Sequence, residues 1–303
     1  MAKVAILGLG TVGSGVAEVL TKNADSIARK AGEPVEIKYI LGRHDYPDSP
    51  FRDLVVQDFS VIENDPEISV VAECIGGTGA ARDDTLRALR AGKSVVTSNK
   101  EVVAEYGDEF FAIAQEKNLN YLYEASVGGG IPIIRPLGSC LAANEISEIY
   151  GILNGTTNYI LTKMIKEGLS FDTALKQETE KGYAEADPTA DVEGFDACRK
   201  ICILASLSFG RHVYPAQVPT QGITGVTAQD VALAEAAGMK IKLLGRAILQ
   251  EDGKVVAYVA PHLIPADQQM AGVEDVFNGI VVRGDAIGDV MFYGRGAGKL
   301  HTA

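Results

Sequence analysis

The hexapeptide Gly8-Leu9-Gly10-Thr11-Val12-Gly13 lies between a short apolar run, Lys3 to Leu7, and a segment in which Val16, Val19 and Leu20 recur at helical spacing. Glycines alone mark any turn, but a strand entering and a helix leaving narrow the meaning of this set. Gly8 permits the tight turn, Gly10 lets the backbone approach a pyrophosphate, and Gly13 lets strand and helix pack closely. The uncapped N–H groups of the helix start, over Thr11 and Val12, together with the helix dipole favour an anion. The pattern predicts a bound nicotinamide dinucleotide; the plain alternative is a structural glycine turn. Further strands are expected at Val35 to Leu41, Val70 to Ile75, Ser94 to Thr97 and Leu119 to Glu124, with helices near Asp83 to Arg90 and Asp108 to Lys117. That alternation implies an α/β, Rossmann-type, doubly wound parallel sheet with right-handed crossovers.

The end of the second strand reads the ribose of such a coenzyme. NAD sites place an acid there, whereas this chain has Leu41-Gly42-Arg43-His44. Arg43 is placed to meet a 2′-phosphate, which favours NADP; nearby Asp45 keeps NAD open, and an ordinary loop arginine is the plain reading.

Beyond Gly128-Gly129-Gly130 the rhythm changes. Helices are expected near Tyr159 to Glu167, Phe171 to Glu180, Gly194 to Leu207 and Thr227 to Met239. Strands are expected at Ile149 to Leu153, Lys240 to Gln250, Val255 to Pro261, Gly279 to Gly284 and Val290 to Tyr293. This describes a second α+β domain on a mixed sheet. The expected division is 1–134 for the dinucleotide domain, 135–298 for the substrate and dimerisation domain, and 299–303 for the start of a further helix. A formal net charge of −12, with no basic stripe, argues against nucleic acid or an anionic membrane as partner. The N-terminal apolar run is too short to span a bilayer and has no cleavage-site pattern, so a cytoplasmic protein is expected. Four cysteines without CxxC spacing read as core residues of a reducing compartment, and four scattered histidines give no metal-ligand spacing.

Two lysines carry the chemistry. From Glu185 to Lys200 the chain places five acids, Glu185, Asp187, Asp191, Glu193 and Asp196, ahead of a lysine that opens an apolar helix. Asp196 and Lys200 are four residues apart and share a helix face. A lysine entering Ile201-Cys202-Ile203-Leu204 needs either a depressed pKa or a permanent partner. Either suits proton transfer to or from an alcohol, and the acids suit a substrate bearing an ammonium group; a surface ion pair beside a structural helix is the alternative. The second lysine, Lys100, follows Ser98-Asn99 just past the strand Ser94 to Thr97, at the carboxyl end of the sheet where ligands bind in such folds.

Taken together, GLGTVG at Gly8 to Gly13, SNK at Ser98 to Lys100, EASVGGGIPII at Glu124 to Ile134, GILNGTTNYIL at Gly151 to Leu161 and GYAEADPTADVEGFDACRK at Gly182 to Lys200 resemble the homoserine dehydrogenases, in the family's order and over nearly the whole chain. The resemblance implies NAD(P)-dependent interconversion of L-homoserine and L-aspartate 4-semialdehyde, a step of threonine, methionine and isoleucine biosynthesis, by a homodimer paired through the second domain's sheet. It assigns Lys100 and Lys200 to the substrate and its proton, and Glu185, Asp191, Asp196 and Thr156 to the substrate-binding wall. It also implies a monovalent cation, sodium by the family's usual assignment, held by Glu124 and the backbone at Val127, Gly129 and Ile131; a hinge is the other reading of that glycine run. Relatives continue past Tyr293-Gly294-Arg295-Gly296-Ala297-Gly298 into a longer helix and often a regulatory domain, so a partial chain without feedback regulation is expected. Two other readings stand beside this one. One is a non-catalytic NADP-binding or regulatory protein; the other is a thiol-dependent semialdehyde dehydrogenase using Cys74.

Overall fold

In the computed structural model, residues 1–180 and 187–303 are described, and they fall into two compact units. The first comprises Met1–Ser126 and Gly298–Ala303, the second Val127–Ala297.

The first unit runs β1 (Ala2–Leu7), α1 (Thr11–Lys22), α2 (Ala24–Ala31), β2 (Val35–Leu41), β3 (Val55–Val56), α3 (Phe59–Glu63), β4 (Ile68–Glu73), α4 (Gly79–Arg90), β5 (Ser94–Thr97), α5 (Lys100–Glu116) and β6 (Tyr121–Leu122). Its sheet order is β3-β2-β1-β4-β5-β6, and every pair is parallel. The expected doubly wound sheet is therefore present. The strand order reverses between β1 and β4, and the crevice at their carboxyl ends is where this topology binds ligands. Val4 to Leu7 of β1 are all buried, as a central parallel strand covered on both faces requires. Ile6, Leu9, Ala17 and Ile40 form one core cluster that ties α1 to β1 and β2. The two-residue β3 carries no periodic signal and was not expected. β6 is shorter than its predicted strand because the chain turns into a 3₁₀ segment at Glu124–Ser126. Lys100 does not lie in a loop after β5: it is the first residue of α5, which begins eight residues before the expected helix.

The second unit runs α6 (Ile134–Gly138), β7 (Ile146–Ile152), α7 (Gly155–Glu167), α8 (Phe171–Glu180), α9 (Thr189–Val192), α10 (Phe195–Phe209), α11 (Ala228–Ala236), β8 (Met239–Leu249), β9 (Val255–Pro265), β10 (Phe277–Gly284) and β11 (Gly288–Arg295). The final helix, α12 (Lys299–Thr302), belongs to the first unit. There it packs on α1, with an ion pair from Lys299 to Glu18 at 2.8 Å. The second sheet has the order β11-β10-β7-β8-β9. It is antiparallel throughout rather than mixed. The reason is local: β8–β9 and β10–β11 are hairpins, and β7 enters between them running against both. Ile152, Leu244, Ile264, Met270, Val273 and Val281 form its core.

The segment after α10 fixes the acidic stretch in place. Ile223 N–H donates to the Val192 carbonyl at 2.8 Å. A side chain at Gly222 would put its Cβ 2.0 Å from the same carbonyl oxygen and 2.4 Å from Glu193 Cα. No rotamer relieves a clash with backbone, so Gly222→Ala must displace the α9–α10 junction. We expect a loss of about 1–3 kcal/mol and a lower melting temperature by calorimetry, with far-UV dichroism preserved below the transition.

Candidate active site

The glycine turn has the geometry its sequence implies. Gly8 adopts φ +95°, in the region that favours glycine. A Cβ on Gly13 would fall 1.9 Å from the Gly8 carbonyl oxygen, whereas one on Gly10 would meet nothing within 4 Å. Gly13 is thus fixed by strand–helix packing and Gly10 by access. Gly10 is the N-cap of α1 and offers no side-chain cap, which leaves the first-turn N–H groups of Thr11 and Val12 for a ligand. A cavity of about 610 Å³ opens beside the turn, lined among others by Gly8, Gly10, Arg43, His44, Cys74 and Gly76. Arg43 is exposed on this lining, and His44 stacks on Tyr46 at 4.4 Å. Asp45 is instead bonded by Gln57 Nε2 at 3.0 Å and is absent from the lining. The acid that kept NAD open is thereby turned to another partner.

At the carboxyl ends of β4 and β5 a second group forms. Asn99 caps α5, its side-chain oxygen accepting from Glu101 and Val102 N–H at 3.1 and 3.3 Å. Its amide nitrogen donates to the carbonyls of Ile75 and Gly77, both at 2.8 Å. Lys100 therefore starts a helix whose first turn is clasped to the glycine loop after β4. Cys74, just past the end of β4, has its thiol pushed up to about 12 by burial, with Glu73 adding to the effect, which disfavours the thiolate a covalent mechanism needs. The thiol-dependent reading loses its base of support.

In the second unit, the turn from β7 into α7 meets the start of α10. Asn154 caps α7 by accepting from Thr157 N–H at 2.8 Å. Its side-chain nitrogen donates to Asp191 Oδ1 at 2.6 Å and to Asp196 Oδ2 at 2.8 Å. The same Asp196 oxygen receives Lys200 Nζ at 2.7 Å, and Lys200 also donates to the Leu153 carbonyl at 2.8 Å. Of the two conditions expected for Lys200, the structure supplies the permanent partner. Asn154, Asp196 and Lys200 are all buried. The structure thus brings together Asp191, Asp196 and Lys200; Glu185 lies outside the described residues. Lys100 stands in the first unit and Lys200 in the second. Sequence reasoning missed Asn154, whose capping position before Gly155 was visible but whose bonds to acids 37 and 42 residues away were not.

It also missed Glu178 on α8, which is fully buried and, among the described residues, has no well-formed hydrogen bond to either carboxyl oxygen, with the Thr156 hydroxyl its nearest polar influence. Burial pushes its carboxyl up to about 8; the Thr156 hydroxyl opposes the shift and Asp191 adds to it. Thr156 is half-buried on the first turn of α7.

Val127 and Ile131 are buried, and Gly128 and Gly129 take φ +74° and +53°. The turn they form closes through Ile131 N–H to the Gly128 carbonyl at 2.9 Å, and that bond takes up none of the Val127, Gly129 and Ile131 carbonyls. Such oxygens fit a hard cation. Glu124 begins the 3₁₀ segment that precedes them.

A doubly wound sheet with this glycine turn, joined to a unit carrying a buried carboxylate–lysine cluster, defines a dinucleotide-dependent oxidoreductase. The family model for the homoserine dehydrogenase NAD binding domain matches residues 8–124, and that for homoserine dehydrogenase matches residues 132–303. The chain belongs to the homoserine dehydrogenase family, and its activity is that of a homoserine dehydrogenase. It is 43% identical over 306 residues to homoserine dehydrogenase of Bacillus subtilis, covering 99% of this chain and 70% of that protein. The crystal structure of a homoserine dehydrogenase from Thiobacillus denitrificans superposes with a TM-score of 0.94 at 42% identity, over 99% of this chain and 70% of that one. A hyperthermophilic archaeal homoserine dehydrogenase in complex with NADPH superposes with a TM-score of 0.82 at 27% identity, over 99% and 93% of the two chains. Among the described residues no helix is long and apolar enough to cross a membrane.

Glu178 generates a pH dependence whose sign is fixed. Its folded carboxyl holds a proton up to about 8, while the unfolded group releases it near 4.5. The folded state binds more protons across that window, so the stabilising contribution is complete below about 4.5 and is lost as pH rises through about 8. Glu178→Gln should melt above the wild type at pH 8, with the gap closing toward pH 5, as read by scanning calorimetry at both pH values.

Proposed function

We propose that the Asn154–Asp191–Asp196–Lys200 cluster is the substrate wall of this dehydrogenase and that it works with NADP. The observation that carries the reading is the shared Asp196 oxygen, which pairs Lys200 while Asn154 joins it to Asp191. Lys200 has three N–H donors and spends two on Asp196 and the Leu153 carbonyl, leaving one for a substrate oxygen. Carboxylates at Asp191 and Asp196, with Glu185, hold the ammonium of L-homoserine, and Thr156 adds a hydroxyl beside them. The roles at the reacting alcohol are assigned to Lys100 and Lys200 on the family's SNK and GFDxxRK motifs. In oxidation the hydroxyl proton passes, directly or through water, to whichever of the two lysines is then a neutral amine, as the carbon loses its hydride; an ammonium can only donate to the oxygen. In the reverse direction a charged ammonium polarises the aldehyde and protonates the developing alkoxide. NADP, when bound, accepts or supplies that hydride.

Arg43 on the pocket lining and the turning of Asp45 toward Gln57 support the 2′-phosphate assignment. Gly8, Gly10 and Gly13 set the turn that receives the pyrophosphate, with the N–H groups of Thr11 and Val12. Glu124 and the carbonyls of Val127, Gly129 and Ile131 hold a sodium ion. The edge strand β9 exposes Val256 and Leu263, which supports pairing with a second copy through this sheet. The enzyme serves threonine, methionine and isoleucine biosynthesis in the cytoplasm.

Initial rates with L-homoserine and each coenzyme test this directly. The wild type should reduce NADP faster than NAD at equal subsaturating concentration. Arg43→Ala should raise KM for NADP by about tenfold or more while leaving NAD nearly unchanged. Lys200→Met should lower kcat by about 10²–10⁴-fold with coenzyme affinity retained. A protein that binds coenzyme yet forms no reduced product with either one contradicts the proposal.

A further inference from the structure

Glu73, the last residue of β4, is only 1% exposed and is used by nothing described above. Its two oxygens are bonded in one direction. Oε1 accepts Ile75 N–H at 2.6 Å, and Oε2 accepts the Thr97 hydroxyl at 2.5 Å. Thr97 Oγ1 in turn accepts Asn99 N–H at 2.9 Å. A donor chain therefore runs from the residue before Lys100, through Thr97, into a buried carboxylate, while the other oxygen of that carboxylate holds the loop after β4. The Asn99 amide closes the circuit by gripping that loop at Ile75 and Gly77. Ile75 and Gly76 line the coenzyme cavity.

We propose that Glu73 is a positioning residue: as a carboxylate it holds the Ile75–Gly77 loop and the first turn of α5, with Lys100, in one fixed relation, and protonation releases them. The inference rests on the assignment of Lys100 and this cavity to the reaction. An ionised carboxylate only accepts, and here both oxygens meet donors. A proton on Oε2 that is donated to Thr97 Oγ1 takes that oxygen's second lone pair beside Asn99 N–H and turns the threonine hydrogen away from the carboxyl. A proton on Oε1 competes with Ile75 N–H. Either placement breaks a bond in a site that excludes water.

The group titrates where this matters. Burial raises its carboxyl to about 7 against the opposing bonds from Thr97, Ile75 and Asn99, and Asp84 on α4 adds to the rise. Asp84 is itself raised by burial, and burial, with Glu73 adding to it, raises Tyr121 on β6 well above the usual phenol range. Cys74, its strand neighbour, stays protonated to about 12. The charged residues of the first turn of α5 are Lys100 and Glu101.

The test follows amide resonances and turnover in the full chain between pH 5.5 and 8.5. In the wild type, the Ile75, Asn99 and Lys100 amide shifts should titrate together with a midpoint near about 7, and kcat should fall below that midpoint. Glu73→Gln should flatten both curves and lower the kcat plateau about tenfold, and because the loop it holds lines the coenzyme cavity, coenzyme Kd should weaken as well and lose its pH dependence over the same range. Thr97→Val removes the hydroxyl that stabilises the anion and should move the midpoint upward, which keeps the inference testable if Glu73→Gln does not fold. Amide shifts that remain flat in the wild type, or a midpoint unmoved in both variants, would overturn it. Titrating amides in a protein that fails to oxidise L-homoserine at any pH would uphold the latch and contradict the functional assignment instead.

Discussion

One carboxylate oxygen, Asp196 Oδ2, holds the second unit's site together. It accepts from both Asn154 and Lys200, side chains from the β7–α7 turn and from α10. Burying a carboxylate and an ammonium costs several kcal/mol per ion unless their remaining hydrogen-bonding capacity is met. Here the Leu153 carbonyl takes a second Lys200 donor, and Asn154 bonds Asp196 while reaching Asp191, which leaves one Lys200 donor for a substrate. Removing one member would leave an uncompensated charge, a loss of about 3–5 kcal/mol. The cluster is therefore rigid, and its rigidity fixes the direction in which Lys200 can still donate.

The first unit solves a related problem with uncharged parts. Its crevice has to admit an anionic coenzyme at backbone level and hold a lysine at a helix start. Gly13 brings strand and helix into contact, and Asn99 both caps α5 and clasps the loop after β4. Glu73 is a buried carboxyl inside this frame that burial raises to about 7, with its neighbour Asp84 adding to the rise. Charge is thus held by pairing in one unit and by oriented backbone in the other.

The sequence was most legible where stereochemistry leaves one solution. The glycine turn and the parallel sheet follow from a strand, three glycines and a helix, and the Asp196–Lys200 pair follows from a spacing of four on a helix. Arg43 was legible as a residue type at a strand end, but the withdrawal of Asp45 toward Gln57 was not, because it depends on a contact across the sheet edge. Asn154, Glu178 and Glu73 were not singled out by sequence, because their surroundings come from elements distant along the chain. The second sheet was expected to be mixed; strand periodicity reports faces, and direction is set by which hairpins close. The start of α5 at Lys100 was missed although Val102, Val103 and Ala104 are buried in its first turns, because that short apolar run is separated from Phe110 and Ala114 by the polar stretch Glu105 to Glu109.

The claim that most of this supports is that the buried acids read the substrate's ammonium group. It is tested most directly by comparing kcat/KM for L-homoserine with that for 4-hydroxybutanoate, which keeps the carboxylate and the reacting alcohol but lacks the amine. A site built to pair that amine leaves buried carboxylates unmatched without it, so the account predicts a loss of about 10⁴-fold. Comparable values for the two alcohols would contradict it.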